Sequence, residues 1–292
     1  MSSTSSSDNL RVAIAAGLFI FFWASGFVAA KFGFPYAEPF TFLAIRFVIG
    51  SAVLVPLCFI WKAAWPKSPG EFGHVIAAGT MVQSLYLVGV YYGIYLGIST
   101  GVVALLVGLQ PLLTGALAGL VLAERVTRRQ WLGLVIGFAG LGLVVADKTT
   151  TAGASVGAFV ITAFGLVSIT IGTLYQKRFC ATFDIRSSVA VQNIAGAALM
   201  FVLAGIFETM AVQWTGEFLF ALLWSALGLS VIALTLYYWL VRRGEAAKVT
   251  SLIYLSPPVT AIMGWLAFNE TLGMGAIAGM AIVATGVALA TR

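Results

Sequence analysis

Charged side chains and the residues of catalytic chemistry are scarce in this chain of 292 residues. Only 9% of the residues are charged and 61% are hydrophobic, whereas a soluble domain has roughly 25% charged residues. There is one histidine, His74, and there are two cysteines, Cys58 and Cys180. A catalytic or metal site needs converging histidine, cysteine or acidic side chains. We therefore expect that the protein is not an enzyme and binds no metal or other cofactor.

Long polar stretches are also missing. Apolar runs, each close to the roughly 20 residues that cross a bilayer, nearly fill the chain. Ten such runs begin near Leu10, Pro39, Phe72, Gly101, Gln130, Gly153, Ile185, Phe218, Ala246 and Leu272. The rest is short loops and residues 1–9, which we expect to be a disordered tail. The sequence predicts an all-α integral membrane protein of ten transmembrane helices in the lipid bilayer, without a nucleic-acid partner.

The basic residues, which give the chain a net charge of +6, lie almost entirely on one predicted side of the membrane. If the N-terminus is cytoplasmic, thirteen basic residues lie on the cytoplasmic side, and only Lys31 and Lys148 lie on the other. Loops rich in lysine and arginine stay in the cytoplasm. We therefore expect a multi-pass protein with both termini in the cytoplasm.

The chain repeats itself at a distance of 146 residues, which is half its length. This distance separates Pro111 from Pro257 and Glu124 from Glu270. Many glycine, lysine and tyrosine pairs keep the same spacing without a gap. Five spans in each half turn the second half over in the membrane. An inverted repeat of this kind is typical of alternating-access transporters.

The repeat divides the chain into two predicted domains. Residues 10–148 form the first five-helix unit and residues 149–292 the second, inverted one, with a cavity between them. A duplication that only enlarged a helical bundle is the alternative.

Three segments resemble a known superfamily. The first helix reads FFWASGFVAAKFG from Phe21 to Gly33, and each half ends in a proline-bearing helix, a glutamate and a glycine-rich helix. These endings read LQPLLTGALAGLVLAERVTRRQWLGLVIGFAGLGLV and LSPPVTAIMGWLAFNETLGMGAIAGMAIVATGVAL. They resemble the drug/metabolite transporter superfamily, in particular its ten-helix exporters with two EamA-type halves, and the whole chain is most similar to YddG-type aromatic amino acid exporters. The resemblance implies an inner-membrane exporter of aromatic and other neutral amino acids.

Pro111, Pro257 and Pro258 interrupt the predicted fourth and ninth helices. A proline leaves the carbonyl four residues earlier without its helical partner, and such carbonyls are tolerated where they face protein or a wet cavity. We predict hinges that line the pathway, with a simple packing kink as the alternative. Glu124 and Glu270 end the same helices, and we expect them to cap helices or to form gating salt bridges.

Polar and aromatic side chains deep in the predicted helices are candidate substrate ligands, because such groups face the interior of a bundle. They are Trp23, Gln83, Tyr86, Gln110, Gln192, Asn193, Ser230 and Tyr254. Together they predict an amphipathic cavity with aromatic walls, suited to a flat ring and a small zwitterionic head. Hydrogen bonding between helices or core filling is the alternative for each. Tyr91, Tyr92 and Tyr95 lie at a helix end, where we expect an interfacial aromatic belt.

Arg46 is the basic residue that lies well inside a predicted helix. A buried cation needs a partner, and we count Arg46 among the substrate-binding candidates because a substrate carboxylate would be one. Backbone carbonyls or an acidic side chain are alternative partners. Snorkelling of the side chain to the membrane surface is a further alternative.

Asp, Glu and His are missing from the predicted membrane interior, where proton-driven carriers keep an acid or a histidine. The first helix has Trp23 and Ser25 where the four-helix drug exporters of the superfamily have a glutamate. We therefore expect facilitated diffusion of a small molecule through a monomer. An exporter of lipophilic cations or other small amphiphiles is the alternative function. A carrier of phosphorylated sugars would need several deep basic residues.

Overall fold

The computed structural model describes residues 6–121, 127–151, 154–233, 236 and 255–291, and most of these residues are helical. The α-helices are α1 (Ser6–Gly33), α2 (Pro39–Ile60), α3 (Pro69–Gly79), α4 (Tyr86–Tyr95), α5 (Thr100–Val107), α6 (Gln110–Val121), α7 (Arg128–Thr151), α8 (Val156–Phe179), α9 (Ile185–Phe207), α10 (Gly216–Leu223), α11 (Ser256–Phe268) and α12 (Met274–Thr291). Two π-helical segments, π1 (Thr80–Leu85) and π2 (Trp224–Ala233), directly follow α3 and α10. Within the described ranges the only β contact is an isolated bridge between Ala37 and Val212.

Five stretches of helix are long and apolar enough to cross a membrane. They are Leu10–Gly33, Pro39–Ile60, Pro69–Tyr95, Val156–Phe179 and Ile185–Phe207. Shorter apolar helices include Thr100–Gly115, Trp131–Val144, Gly216–Leu229 and Met274–Gly286, which lie in the regions predicted as the fourth, fifth, eighth and tenth spans. The predicted start of the ninth span, near Ala246, lies outside the described residues. The all-helical membrane architecture is confirmed, and the count of ten spans stays a prediction.

The outer surface of the bundle is apolar. Ile60, Phe207 and Leu266 are 71%, 68% and 70% exposed, respectively. A soluble monomer rarely exposes large contiguous apolar patches, because they lead to association in water. This surface fits the acyl chains of a bilayer.

Helices α7 and α12 pack closely through glycines. A Cβ atom added at Gly140 would lie 2.7 Å from the carbonyl oxygen of Gly279, and one added at Gly286 would lie 2.6 Å from that of Gly133. The order of these contacts shows that the two helices run antiparallel. Small residues let helix backbones approach each other in a membrane, so the glycines set this crossing.

Helices α2 and α9 form a second antiparallel pair. A Cβ atom added at Gly50 would lie 2.8 Å from Oδ1 of Asn193, and one added at Gly196 would lie 3.1 Å from the ring of Phe47. Gly50 and Gly196 are 146 residues apart, as are Phe47 and Asn193. The two helices therefore contact each other through residues that the sequence repeat relates.

The π-helical segments also follow the repeat. A shift of 146 residues places Thr80–Leu85 at 226–231, which lies inside Trp224–Ala233. A π-helix widens the turn and frequently occurs at functional sites. Both segments border the cavity that is described next.

Candidate functional site

A cavity of about 310 Å³ lies between α1, α2, α4, α8, α9 and the two π-helical segments. Its walls are mostly aromatic and aliphatic, with a few polar side chains between them. The lining residues are Trp23, Gly26, Phe27, Arg46, Val82, Gln83, Tyr86, Leu87, Val90, Tyr91, Ile169, Gln176, Val189, Gln192, Asn193 and Leu229. Both halves of the chain contribute to it, as expected for a site between two repeats.

Six of the nine predicted substrate ligands line this cavity: Trp23, Arg46, Gln83, Tyr86, Gln192 and Asn193. The structure thus brings together residues from five different helical elements. Their contact with a substrate stays a prediction.

The other three predicted ligands are not among the lining residues. The amide of Gln110 donates to Oγ1 of Thr114 and to Oγ1 of Thr173, each at 3.3 Å. The bond to Thr173 joins α6 to α8, as in the interhelical alternative for Gln110, and its contact with a substrate stays a prediction. Ser230 lies in π2, but its side chain is not described, and Tyr254 lies outside the described residues.

The amide side chains in the cavity are bonded to one another. Nε2 of Gln83 donates to Oε1 of Gln192 at 3.0 Å. Nδ2 of Asn193 donates to the carbonyl of Val189 at 2.9 Å and more weakly to Oε1 of Gln83 at 3.4 Å. Nε2 of Gln192 is buried and has no partner. An unsatisfied buried donor costs about 1–3 kcal/mol, so this amide is available to an acceptor in the cavity.

Arg46 brings the positive charge into the cavity. Its Nη1 donates to the hydroxyl of Tyr91 at 2.6 Å, and the guanidinium carbon lies 5.9 Å from the centre of the Tyr91 ring. Nε of Arg46 is buried without a hydrogen-bond partner. One edge of the guanidinium is therefore fixed by Tyr91 while another donor remains unpaired.

Tyr91 corrects the interpretation of the tyrosines in α4. The sequence predicted an interfacial belt, yet Tyr91 is only 2% exposed and lines the cavity. Tyr95, one turn later, is 45% exposed, as a belt residue would be. The difference arises because Tyr91 faces α2, where its hydroxyl accepts the hydrogen bond from Arg46.

Gln176 is a lining residue that the sequence argument missed. It directly precedes the basic pair Lys177 and Arg178 near the end of α8. The depth criterion assigned this end to the membrane surface. The signal in the sequence was its position one helical turn after Gly172, which the shift of 146 residues relates to Gly26. In the structure a Cβ atom added at Gly172 would lie 2.8 Å from Val82 of π1.

Pro257 and Pro258 line a second cavity of about 220 Å³, which is apolar and which Gly108 also lines. A Cβ atom added at Gly108 would lie 3.3 Å from Pro257. The helix breaks between α5 and α6, directly after Val107, whose carbonyl Pro111 was predicted to release. The side chain of Pro111 is not described.

Pro257 and Pro258 lie in the first turn of α11 rather than in the middle of a helix. Proline is tolerated in a first turn, because the backbone donors there have no helical partner. The preceding carbonyls of the hinge prediction lie outside the described residues. The hinge roles of the three prolines stay predictions.

One end of the bundle is held by an ionic cluster. Nζ of Lys31 lies 2.6 Å from Oε1 of Glu270 and 4.8 Å from the ring centre of Phe268. The carboxylate also accepts from the backbone nitrogen of Thr100 at 3.0 Å and from its hydroxyl at 2.9 Å. Glu270 thus caps the first turn of α5 and ties it to the ends of α1 and α11. Glu124 lies outside the described residues, and gating by either glutamate stays a prediction.

A helical membrane protein with an amphipathic cavity between its spans has the architecture of a small-molecule transporter. The sequence profile of the EamA-like transporter family matches residues 10–146 and, a second time, residues 156–292, so the chain belongs to this family of membrane transporters.

Relatives in bacteria are similar over nearly the whole chain. The uncharacterized transporter YvbV of Bacillus subtilis (strain 168) is 26% identical, over 96% of this chain and 91% of its own length. The uncharacterized inner membrane transporter YedA of Escherichia coli (strain K12) is 24% identical, over 92% of this chain and 87% of its own. A solved crystal structure with 18% identity has a TM-score of 0.66 and covers 96% of both chains, which supports the fold.

Proposed function

We propose that this protein exports aromatic and other neutral amino acids across the inner membrane by alternating access. One observation carries the proposal: the cavity combines one guanidinium group and neutral amides with aromatic walls. Arg46 would bind the substrate carboxylate, while Trp23 and Tyr86 would contact the substrate side chain. The cavity volume of about 310 Å³ lies at the lower end of the range of about 300–1,000 Å³ that ligand pockets occupy.

The transport cycle would use two inverted five-helix repeats. In support, the family profile matches two segments whose first residues, 10 and 156, are 146 positions apart. Within each of the antiparallel pairs α2/α9 and α7/α12, the two helices also contact each other through residues that this shift relates. With the basic loops in the cytoplasm, both termini would be cytoplasmic, and the name of YedA supports an inner-membrane location.

The cluster of Lys31, Glu270 and Thr100 would close one face of the pathway. A shift of 146 residues relates Lys31 to Lys177 and Glu270 to Glu124. In an inverted repeat, these equivalent residues belong to opposite faces. We expect the second pair to close the other face when the first one opens.

Facilitated diffusion, which needs no proton-binding group, fits the composition of the cavity wall. Among the described residues that line the cavity there is no Asp, Glu or His. Proton-coupled carriers place such groups in the membrane interior. Since one chain supplies all these walls, we propose that the monomer is the transporting unit.

Flux through purified protein in liposomes tests the proposal. Labelled phenylalanine, tryptophan and leucine should enter liposomes that contain the protein, with saturation, and an imposed pH gradient should not drive them. Tyr86→Ala should lower phenylalanine flux about tenfold, because it removes an aromatic wall from the cavity. Tyr95→Ala is the matched control, since Tyr95 lies on the same helix but is 45% exposed and is not a lining residue.

Two results would reject this function. One is flux that requires a pH gradient, which would contradict facilitated diffusion. The other is saturable flux of a cationic dye that no amino acid inhibits, which would instead support the export of lipophilic cations.

A further inference from the structure

We infer that the cavity recognises its substrate through the carboxylate alone, so that aromatic monocarboxylates without an amino group bind as well as amino acids do. This inference rests on the proposed function, because it concerns the same cavity. It goes further in that it assigns the α-ammonium group of an amino acid no binding role.

The charges around the cavity are the first argument. Arg46 is the single charged side chain among the described residues that line it. A substrate ammonium would find no opposite charge there and would share a medium of low dielectric constant with a guanidinium, which repels it. A substrate carboxylate would neutralise that guanidinium. The electrostatics therefore favour an anion.

The hydrogen bonds are the second argument. Among the described residues of the cavity wall, the buried groups without a hydrogen-bond partner are donors, Nε of Arg46 and Nε2 of Gln192. Two amide oxygens nearby already accept hydrogen bonds, Oε1 of Gln192 from Gln83 and Oε1 of Gln83 from Asn193. A carboxylate offers acceptors only, so it complements what is unsatisfied. An ammonium offers donors only and would leave both groups unpaired.

The positions of the two donors are the third argument. Arg46 and Gln192 are 146 residues apart, on α2 and α9, and each lies four residues before the glycine at which these helices meet, Gly50 or Gly196. A distance of four residues is about one helical turn. The donors therefore occupy equivalent places beside one crossing, and both line the same cavity.

Tyr91 prepares the guanidinium for this role. Because its hydroxyl accepts from Nη1 at 2.6 Å, the orientation of the planar group is set before a ligand binds. An arginine that is fixed in this way presents its remaining N–H groups to a carboxylate in a defined plane, which a lysine cannot do.

A series of four ligands tests the inference by direct calorimetric binding to the purified protein at pH 7. L-Phenylalanine has both charged groups, 3-phenylpropionate has only the carboxylate, and phenethylamine and L-phenylalaninamide have only the ammonium. We expect the two carboxylates to bind within about threefold of each other and to compete, and the two others to bind about tenfold more weakly or worse.

Variants connect this selectivity to the two donors. Arg46→Gln should weaken both carboxylates by about tenfold or more and leave phenethylamine unchanged or tighter, since it removes the charge. Gln192→Leu removes a neutral donor but keeps a side chain of similar size, and it should weaken the binding of both carboxylates about threefold. Lys67→Gln is the control, because it removes an exposed cation from a loop outside the cavity and should bind all four ligands as the unaltered protein does.

The outcomes separate the inference from the proposed function. If phenylalanine binds and 3-phenylpropionate binds tenfold more weakly or not at all, the ammonium matters and the inference is wrong while the function stands. If phenethylamine binds as tightly as 3-phenylpropionate, the inference is also wrong. If neither carboxylate binds, both the inference and the proposed function fail.

Discussion

Two helix pairs in this protein share one geometry and differ in what they place at the crossing. The pairs α2/α9 and α7/α12 are antiparallel, and in each the two partners are related by a shift of 146 residues. Glycines lie at both crossings. At α7/α12, Gly140 faces the backbone of Gly279, whereas at α2/α9 Gly50 faces the side chain of Asn193.

The difference separates scaffold from binding site. Where backbone meets backbone, no room remains for a polar side chain, and the contact contributes only packing. Where backbone meets side chain, the crossing leaves space beside it, and Arg46 and Gln192 extend into that space with unpaired donors. We expect substitutions at α7/α12 to affect folding and substitutions at α2/α9 to affect binding.

Gly140→Leu should have the largest effect. The new Cβ would lie 2.7 Å from the carbonyl oxygen of Gly279 and 2.8 Å from the backbone nitrogen of Val283. Backbone atoms cannot rotate away as a side chain can, so the helices must separate, and overpacking of this kind costs about 1–3 kcal/mol or more. Size-exclusion chromatography and thermal unfolding in detergent should show loss of the folded monomer.

The same helix provides the control. A Cβ atom at Gly142 would have no atom within 4 Å, so Gly142→Leu should leave the unfolding temperature within a few degrees of the original. Equal stability of the two variants would contradict the scaffold role of the α7/α12 pair.

Gly50→Ala should have a smaller effect, and it should fall on binding. The added methyl would lie 2.8 Å from Oδ1 of Asn193. The side chain of Asn193 can rotate away, at the cost of the hydrogen bond that its Nδ2 donates to the carbonyl of Val189. The protein should therefore fold, while its affinity for phenylalanine should fall about threefold to tenfold. Gly205→Ala, in α9 with no atom within 4 Å of the added Cβ, should leave the affinity unchanged. A change in stability without a change in affinity would remove the contrast between the two pairs.

Much of the cavity was predictable from the sequence because burial in a membrane is costly for polar groups. Gln83, Gln192 and Asn193 have no reason to lie deep in apolar helices unless they face protein or substrate, and all three line the cavity. The distance of 146 residues was equally visible. It relates the glycines of both crossings and the two π-helical segments.

Contacts between distant elements were not predictable in this way. Tyr91 and Tyr95 look alike in the sequence, and only the position of α2 decides which of them meets Arg46. Glu270 was expected at a helix end, but its bonds to Lys31 and Thr100 join three separate helices. Such partners depend on how helices are arranged around each other, which hydropathy and spacing do not encode.

The acidic residues that precede α2 and α9 also occupy equivalent positions and differ in their contacts. Glu38 precedes α2 and Asp184 precedes α9, and they are 146 residues apart. Each carboxylate reaches the loop that follows the partner helix: Glu38 accepts from the backbone nitrogen of Thr209 at 2.8 Å, and Asp184 accepts from that of Ala64 at 3.1 Å. Asp184 differs in that it also caps its own helix, accepting from the backbone nitrogen of Arg186 at 3.0 Å.

Asp184→Asn should have the smallest effect, and it should depend on pH. The hydrogen bonds and charge of Arg186 lower the pKa of Asp184 from 3.8 to about 2. Because the pKa is lowered in the folded protein, the carboxylate stabilises the fold above about pH 4, and this contribution is lost as the pH falls towards about 2. Asparagine still caps the helix but lacks the charge, so at pH 7 the variant should be less stable by about 1 kcal/mol. Thermal unfolding should show this gap at pH 7 and its closure near pH 2.

Glu38→Gln, the equivalent change at the other end of the pair, should be measured beside it. A gap for Asp184→Asn that keeps its size down to pH 2 would show that the charge of Asp184 is not the cause of the difference in stability.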